Sequence, residues 1–247
     1  MNISTRWLRE WVDPKVSDIE LSEKLTMAGL EVERVAPVAP PFEGLVVGYV
    51  VSCVKHPNAD KLSLCEVDIG VDSNLQIICG APNVRKGLKV VVATVGSVIP
   101  NNLKIKKAKL RGVESRGMIC SEAEIGLSDC HDSIMELDSS AILGENARTC
   151  LDLDDHIIEL DLTPNRGDCF SVIGIAREVC ANYDLSLFLK NYEAKQQGSK
   201  SFKAKVSNPN ACPKYLTRVI EGIDNNAITP KWMAQRLQRA SQQVHSP

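Results

Sequence analysis

A group of cations crowded into thirteen positions, 104–116, has the clearest potential for binding chemistry. The group comprises Lys104, Lys106, Lys107, Lys109, Arg111 and Arg116. In an extended strand alternate residues share a face, so Lys104 and Lys106 lie on one side and the alternate cations from Lys107 onward on the other. Cations ~7 Å apart suit successive phosphates of a nucleic acid, and each neutralised phosphate releases counterions. The segment predicts a phosphate-binding stripe. The competing interpretation is a solvated lysine face that protects an edge strand from aggregation.

Four further cations flank short turn motifs and extend the stripe. Arg85 and Lys86 lie in the sequence APNVRKG at 81–87, and Lys55 and Lys61 flank HPNAD at 56–60. Asparagine, proline and glycine in these motifs are typical of turns. We expect all ten cations to contact RNA.

Aromatic residues are nearly absent from this part of the chain. Between Phe42 and Phe170 the sequence has Tyr49 alone. Domains that bind single strands stack bases on several aromatic side chains. The composition therefore predicts binding through phosphates, sugars and shape, as expected for folded or duplex RNA.

Catalytic and metal-binding motifs are missing from the sequence. It contains no GxxxxGK[ST], GxGxxG, GxSxG or HExxH. His56 and Asp60 are four residues apart, but Pro57 between them prevents the helix that would align them as metal ligands. His131 and His156 have no partner at ligand spacing. We expect no catalytic residue and no metal ligand in this chain.

The cysteines do not form a recognisable framework. There are nine, at 53, 65, 79, 120, 130, 150, 169, 180 and 212, and no two lie within four residues of each other. This spacing excludes a zinc knuckle, and the odd number argues against a disulfide scaffold. We expect reduced, mostly buried thiols.

Charge is segregated along the chain. The 247 residues include 29 Lys plus Arg and 31 Asp plus Glu, a net charge of −2. Nine bases and one acid lie in 85–117, whereas twelve acids and one base lie in 120–161. A local basic surface can meet a polyanion although the whole chain is acidic. The longest apolar stretch, 45–54, is too short for a membrane helix, and the N-terminus lacks an apolar signal core, so we expect a cytoplasmic protein.

The elements that position these residues begin with helices. The first 36 residues read as helical, with Ser4 capping one helix and a capping box from Ser17 to Glu20 opening a second that Gly29 closes. A proline-rich joint, APVAPPFEG, then marks a domain boundary at 36–44.

Short β-branched runs follow the joint. They occupy 45–54, 62–70, 75–80 and 89–99 and are separated by turn sequences. Such runs predict a small closed antiparallel barrel. A short helix, which Ser121 caps, is expected at 121–126.

Helical character returns in the last third. A turn at 163–168 ends in Asp168 as an N-cap, and Val172, Ile173, Ala176, Val179, Cys180 and Tyr183 share one face of a helix that stops near Asn182. Neither flank of the barrel can bury a sufficient core alone, so we expect the two to fold together with the barrel inserted between them. A strand-like run at 214–223 and a helix that begins at Thr229-Pro230 end the sequence.

Three motifs in order show a family resemblance. HPNADKL at 56–62, ICGAPNV at 78–84 and LRGVESRGMICSEAEIGL at 110–127 closely resemble the tRNA-binding OB-fold of the EMAP/Myf type. This domain is shared by bacterial phenylalanyl-tRNA synthetase beta chains, some methionyl synthetases and free-standing tRNA-binding proteins. The flanking sequence at 158–179, which includes TPNRGDC, resembles the synthetase beta chains and not the other relatives.

The resemblance implies an α+β multidomain chain. A five-stranded OB-fold barrel at 39–151 is inserted into a small discontinuous domain formed by 1–38 and 152–190, a linker follows at 191–205, and 206–247 is the truncated start of a tRNA-editing domain. It further implies a ligase that attaches phenylalanine to tRNA(Phe), with the alpha subunit as partner in an alpha2 beta2 assembly. ATP and magnesium belong to that holoenzyme. No cofactor and no catalytic residue is expected within this chain.

Two alternatives remain open at this point. The chain could be a stand-alone, homodimeric tRNA-binding protein, although the TPNRGDC helix and the truncated last domain argue against that. The OB domain could also be an assembly spacer without RNA affinity, because a basic stripe shows a capacity and not a use.

Overall fold

The computed structural model describes residues 1–129, 131–191, 198 and 200–245. Within these ranges the strands are β1 (Asn2–Ser4), β2 (Glu31–Pro37), β3 (Glu43–His56), β4 (Ala59–Asp68), β5 (Leu75–Cys79), β6 (Lys89–Ile99), β7 (Leu103–Lys104), β8 (Ala108–Leu110), β9 (Val113–Ser115), β10 (Gly117–Ile119) and β11 (His156–Asp161). The helices are α1 (Thr5–Arg9), α2 (Asp18–Met27), α3 (Ala147–Cys150), α4 (Val172–Tyr183) and α5 (Lys231–Arg239), with 3-10 turns at Pro100–Asn102 and Pro164–Cys169.

The chain divides into two compact units. One comprises Met1–Val35 and Ile158–Pro247, and the other comprises Ala36–Ile157. Every strand pair with a described register in the second unit is antiparallel. The antiparallel pairing that the sequence predicts for the strands of this unit is confirmed.

The first unit begins with the two predicted helices. Ser4 accepts a hydrogen bond from the Trp7 amide, and Ser17 accepts one from the Glu20 amide, so both predicted N-caps are confirmed. Gly29 has a φ of 92°, and the Leu30 amide donates to the Leu25 carbonyl in the manner of a glycine-terminated helix.

Two strands in this part of the chain were not predicted. β1 and β2 lie within residues expected to be helical, and they form a sheet in the order β1-β11-β2. The helical interpretation of residues 1–36 was wrong for these two segments, because each strand is short and pairs with β11, which lies far along the sequence. Ile3, Leu21 and Leu25 pack with Ile158 and other residues of the later segment in one buried cluster.

The helix α4 differs in detail from its prediction. Its N-cap is Ser171, whose hydroxyl accepts from the Gly174 amide, and not Asp168, whose carboxylate instead accepts from Arg166. Ile175, which was not in the predicted face, is fully buried, whereas Ile173 lies outside the buried cluster. The intervening 3-10 turn moves the start of the helix to Val172, and the other five residues of the predicted face lie in the cluster or pack against it.

The second unit is built on a six-stranded sheet. Its order is β10-β6-β3-β4-β5, with β7 paired to β6. Hydrogen bonds also link the segments at its two edges, since the Arg116 amide donates to the Gln76 carbonyl at 2.8 Å and the Ile78 amide donates to the Ser115 hydroxyl at 3.1 Å. The sheet therefore curls until its two edges meet.

Strand β6 explains the continuous apolar run KVVVATV. Val90 and Val92 belong to one buried cluster, and Val91 and Ala93 belong to another. Successive side chains of a strand point to opposite faces, so β6 is covered on both sides. A strand buried on both faces needs apolar residues at successive positions, whereas a half-exposed strand alternates apolar and polar residues.

The last part of the chain contains less regular structure than predicted. Residues 214–223 form no strand and are exposed, so that expectation was wrong. No strand of the described chain forms backbone hydrogen bonds with this run. An isolated strand has no partner for its backbone groups. Helix α5 begins at Lys231, directly after Thr229-Pro230, as predicted. Of the predicted linker at 191–205, residues 192–197 and 199 lie outside the described residues.

The cysteines that the structure describes are all free thiols. Burial raises the pKa of Cys120 to about 12 and also raises the pKa of Cys65. Cys130 lies outside the described residues. In the described chain, no helix is long and apolar enough to cross a membrane.

Candidate nucleic-acid interface

The basic segment forms a hairpin and not one continuous strand. β7 ends at Lys104, residues 105–107 are irregular, and β8 pairs with β9 across a two-residue turn, Arg111-Gly112. Both turn residues have positive φ, 47° and 92°, as a type I′ hairpin turn requires. The predicted alternation of cations along one strand was therefore wrong.

The HPNAD turn anchors this hairpin. The buried ring of His56 accepts the Asn58 amide at Nδ1, 3.0 Å away, so Nε2 carries the proton and donates to the Leu110 carbonyl at 3.2 Å. The Asn58 side chain donates to the Arg111 carbonyl at 3.1 Å. The 56–60 turn and the hairpin at Leu110 and Arg111 are thus joined by hydrogen bonds although they are far apart in sequence.

Four lysines of the basic segment project into solvent. Lys104, Lys106, Lys107 and Lys109 are exposed, and among the described residues none has an ion-pair partner. Lys109 lies opposite Glu114 in the β8–β9 register. Arg116, together with Lys107 and Lys109, lowers the pKa of Glu114.

Two of the three predicted arginines, Arg85 and Arg116, are paired with acids. Arg116 Nε binds Glu114 at 2.6 Å. Arg85 binds Glu136 through Nη1 at 2.8 Å and Nη2 at 2.9 Å, and this contact raises the pKa of Arg85. All four of these side chains keep solvent access.

The remaining predicted cations are exposed in the same unit. Lys55 lies opposite Ser63 in the β3–β4 register, Lys61 lies on β4, and Lys86 follows Arg85 in the loop between β5 and β6. Lys55 and Lys61 flank the turn that holds the hairpin. The structure thus groups eight of the ten cations around the 56–60 turn and the 103–116 segment, and places Arg85 and Lys86 on a separate loop.

An open groove borders the basic segment. Its volume is about 480 Å³, and its walls include Gly80, Pro82, Lys104, Lys106 and Met118. The three sequence motifs contribute to the same neighbourhood, because the second and third line the groove and the first holds Leu110.

The SEAE sequence at 121–124 closes one side of this groove. Ser121 accepts the Glu124 amide at 3.3 Å, and the Glu124 carboxylate accepts the Ser121 amide at 2.6 Å. This reciprocal pair has the hydrogen-bond pattern of a capping box, but no helix follows it for Ser121 to cap. The segment forms turns, so the predicted helix at 121–126 was wrong.

One cluster in the other unit has metal-ligand chemistry. Asp168, Cys169 and Glu178 bring ligand atoms within 4.8 Å of one another. The Arg166 guanidinium lies among them, 2.9 Å from Cys169 Sγ and 2.7 Å from Glu178 Oε2. Its positive charge occupies the place of a cation, so this cluster is an ion-pair network.

Comparisons with known proteins agree with this geometry. Residues 45–146 match the family described as "Putative tRNA binding domain". Over 240 residues, 97% of the chain, it is 52% identical to the phenylalanine–tRNA ligase beta subunit of Pectobacterium atrosepticum, of which it covers 30%. The chain is homologous to this beta subunit. Over 100% of the present chain, it is also 51% identical to the phenylalanine–tRNA ligase beta subunit of Coxiella burnetii, of which it covers 31%.

The match is confined to one part of the relatives. The chain spans less than a third of the length of these beta subunits, and it corresponds to their N-terminal portion. The homologues are aminoacyl-tRNA synthetase subunits, which accounts for a tRNA-binding domain inside a longer ligase chain. Among solved structures, the C-terminal domain of Plasmodium vivax p43 matches at 24% identity and a TM-score of 0.31, over 41% of this chain and 56% of that one.

Sequence patterns give little indication of the residues that position the cations. They indicate only a turn role for His56, and they do not single out Glu136 or Asn83. The pattern H-x-N offers a signal for His56, since an imidazole two residues before an asparagine can accept its amide. Nothing local in the sequence links Asn83 or Arg85 to residues 134–136, which lie about fifty positions away.

Proposed function

We propose that the chain supplies tRNA-binding and scaffold elements to a phenylalanine–tRNA ligase, which attaches phenylalanine to tRNA(Phe) with ATP. The observation that carries the proposal is the coincidence of the tRNA-binding family match, 45–146, with the unit that bears the unpaired lysines. Homology to the ligase beta subunits along nearly the whole chain favours this context over a free-standing tRNA-binding protein.

The proposed architecture follows the family. Residues 39–151 form an OB-type barrel, 1–38 and 152–190 a discontinuous domain, 191–205 a linker, and 206–247 the start of an editing-type domain. The hydrogen bonds between the edges of the sheet support the barrel. The division of the chain near residues 36 and 157 supports an inserted domain.

The chemistry of the ligase lies outside this chain. We infer an alpha subunit as partner in an alpha2 beta2 assembly in the cytoplasm, with ATP and magnesium bound by other parts of the holoenzyme. The role of the present residues is to hold tRNA and to support the assembly.

RNA contact is electrostatic in this proposal. Lys104, Lys106, Lys107 and Lys109 make the first contacts, because they are exposed and carry no internal ion pair among the described residues. Lys55, Lys61, Lys86 and Arg111 extend the surface, and Arg85 and Arg116 contribute only after release from their carboxylates. Exposed lysines bind phosphates without reading bases.

A salt titration tests the proposal. The affinity of the purified chain for a tRNA(Phe) transcript is measured by filter binding at two or more salt concentrations. We expect binding at low salt. The logarithm of the association constant should fall linearly with the logarithm of the salt concentration, with a slope of about −0.7 to −0.9 per neutralised phosphate. A folded chain that shows no affinity at low salt supports the assembly-spacer alternative.

A further inference from the structure

Arg85 makes an internal ion pair with Glu136 in the same bidentate geometry that a guanidinium uses to bind a phosphate. Nη1 and Nη2 of Arg85 reach the two oxygens of Glu136 at 2.8 and 2.9 Å. This parallel pair of hydrogen bonds is the geometry in which a guanidinium grips either a carboxylate or a phosphate. Glu136 therefore covers the Nη1–Nη2 edge of Arg85, one of the edges through which a guanidinium holds a phosphate.

The position of Glu136 is built into the fold. Asn83 donates to Glu136 Oε1 at 3.1 Å and to the Ile134 carbonyl at 3.0 Å, and it accepts the Ile134 amide at 3.0 Å. A backbone bridge between Val90 and Glu136 fixes the same segment against β6. The carboxylate is therefore fixed beside Arg85 from several directions, unlike most pairs of long surface side chains.

Arg85 nevertheless remains reachable. Its side chain is 60% exposed and that of Glu136 is 38% exposed. An exposed ion pair is weak enough for a polyanion to compete with it. The next residue, Lys86, is exposed and adds a second positive charge for an approaching RNA backbone.

We propose that Glu136 and an RNA phosphate compete for the same two nitrogens of Arg85, so that Glu136 limits the RNA affinity of this domain. The inference rests on the proposed tRNA-binding function and adds a residue that sets its strength. The ligand at Arg85 is a phosphodiester group of RNA. Glu136 acts as an internal counter-anion that keeps this arginine from contributing to binding.

The direct test is Glu136→Gln, which removes the charge and keeps an oxygen that can accept from Asn83. Binding of a tRNA(Phe) transcript is measured across a salt series. We expect affinity at low salt to rise about two- to fivefold, the range for removal of one exposed ion-pair competitor. The log–log salt slope steepens by about 0.7 to 0.9, because one more phosphate is neutralised.

The matched control is Glu66→Gln in the same unit. Glu66 is exposed on β4 and accepts a hydrogen bond from Ser52 at 3.3 Å, but it has no cationic partner among the described residues. This control changes the net charge by the same amount. An equal gain in affinity and slope for both variants overturns the proposal, since a general charge effect then explains it.

Arg85→Gln gives an independent route that leaves Glu136 intact. We expect it to change affinity less than twofold in the otherwise unaltered chain, and to cancel the gain when combined with Glu136→Gln. A fivefold or larger drop in affinity from Arg85→Gln alone shows that Arg85 already binds RNA and overturns the proposal. If folded, unaltered chain does not bind tRNA at low salt, the proposed function itself fails; if it binds but Glu136→Gln leaves affinity unchanged, only the competition fails.

Discussion

Individual side chains in this molecule have two different tasks around the basic hairpin. His56 and Asn58 fix the backbone at Leu110 and Arg111 through hydrogen bonds, whereas the exposed lysines leave their charge in solvent. Buried polar groups need partners, so positioning residues are sensitive to substitution in a way that surface lysines are not. Stability and RNA affinity should therefore respond to different residues.

Replacement of three lysines separates charge from fold. We expect Lys106→Ala, Lys107→Ala and Lys109→Ala together to weaken binding to folded tRNA and to flatten the salt slope by about 0.7 to 0.9 for each phosphate that is no longer neutralised. The matched control replaces Lys203, Lys205 and Lys214, which are exposed in the other unit. An unchanged slope in the first variant, with both variants melting like the parent, removes the hairpin from the binding surface.

His56→Ala tests the positioning role. It leaves the Leu110 carbonyl and the Asn58 amide without their partner, in a side-chain site that is 5% exposed. We expect the free energy of unfolding to fall by about 1–3 kcal/mol, the cost of unsatisfied buried polar groups. Chemical denaturation measures the change, and Asp60→Ala on the exposed side of the same turn is the control. Equal stability of both variants contradicts the anchoring role.

Among the elements, α5 and the segment before it behave differently. Arg236 of α5 lies over the rings of Trp7 and Trp232, 5.3 and 5.6 Å from their centroids, and binds Glu10. Residues 200–229 have no strand or helix and are almost entirely exposed. The helix is therefore held against α1 while the segment before it is not.

Limited proteolysis should detect this difference. We expect the first cuts within 200–229, since few buried contacts protect that backbone. Mass spectrometry of the early fragments identifies the sites. Cleavage that starts within 45–150 instead contradicts the proposed domain organisation. Trp7→Ala should expose α5 to cleavage without altering the fragment that contains the Ala36–Ile157 unit.

At the scale of the whole molecule, the chain corresponds to less than a third of its relatives. The basic segment at 85–117 and most of the acidic segment at 120–161 lie in the Ala36–Ile157 unit. The small net charge of −2 is therefore compatible with a strongly positive local surface.

The purified chain should not aminoacylate tRNA. We expect it to form no Phe-tRNA(Phe) with ATP and phenylalanine, and not to hydrolyse mischarged Tyr-tRNA(Phe), because the sequence contains none of the motifs GxxxxGK[ST], GxGxxG, GxSxG or HExxH. Assays with radiolabelled amino acid measure both reactions, with a complete phenylalanine–tRNA ligase as positive control. Turnover that copurifies with the chain through successive columns contradicts this expectation.

The sequence by itself determined the local features. The helix caps at Ser4 and Ser17, the strand runs of β3 to β6 and the start of α5 all follow from residue type and short-range spacing. These features depend on interactions within a few residues, which a linear pattern records. The three family motifs at 56–62, 78–84 and 110–127 predicted tRNA binding for the same reason, because each is a contiguous stretch of sequence.

Tertiary structure alone decided the long-range features. β1 and β2 become strands through pairing with β11, and residues 214–223 stay irregular because no strand of the described chain meets them. Arg85 is held by Glu136, fifty-one positions away. Strand pairing and ion pairing depend on which distant segments the fold brings together, and neither composition nor periodicity encodes that choice.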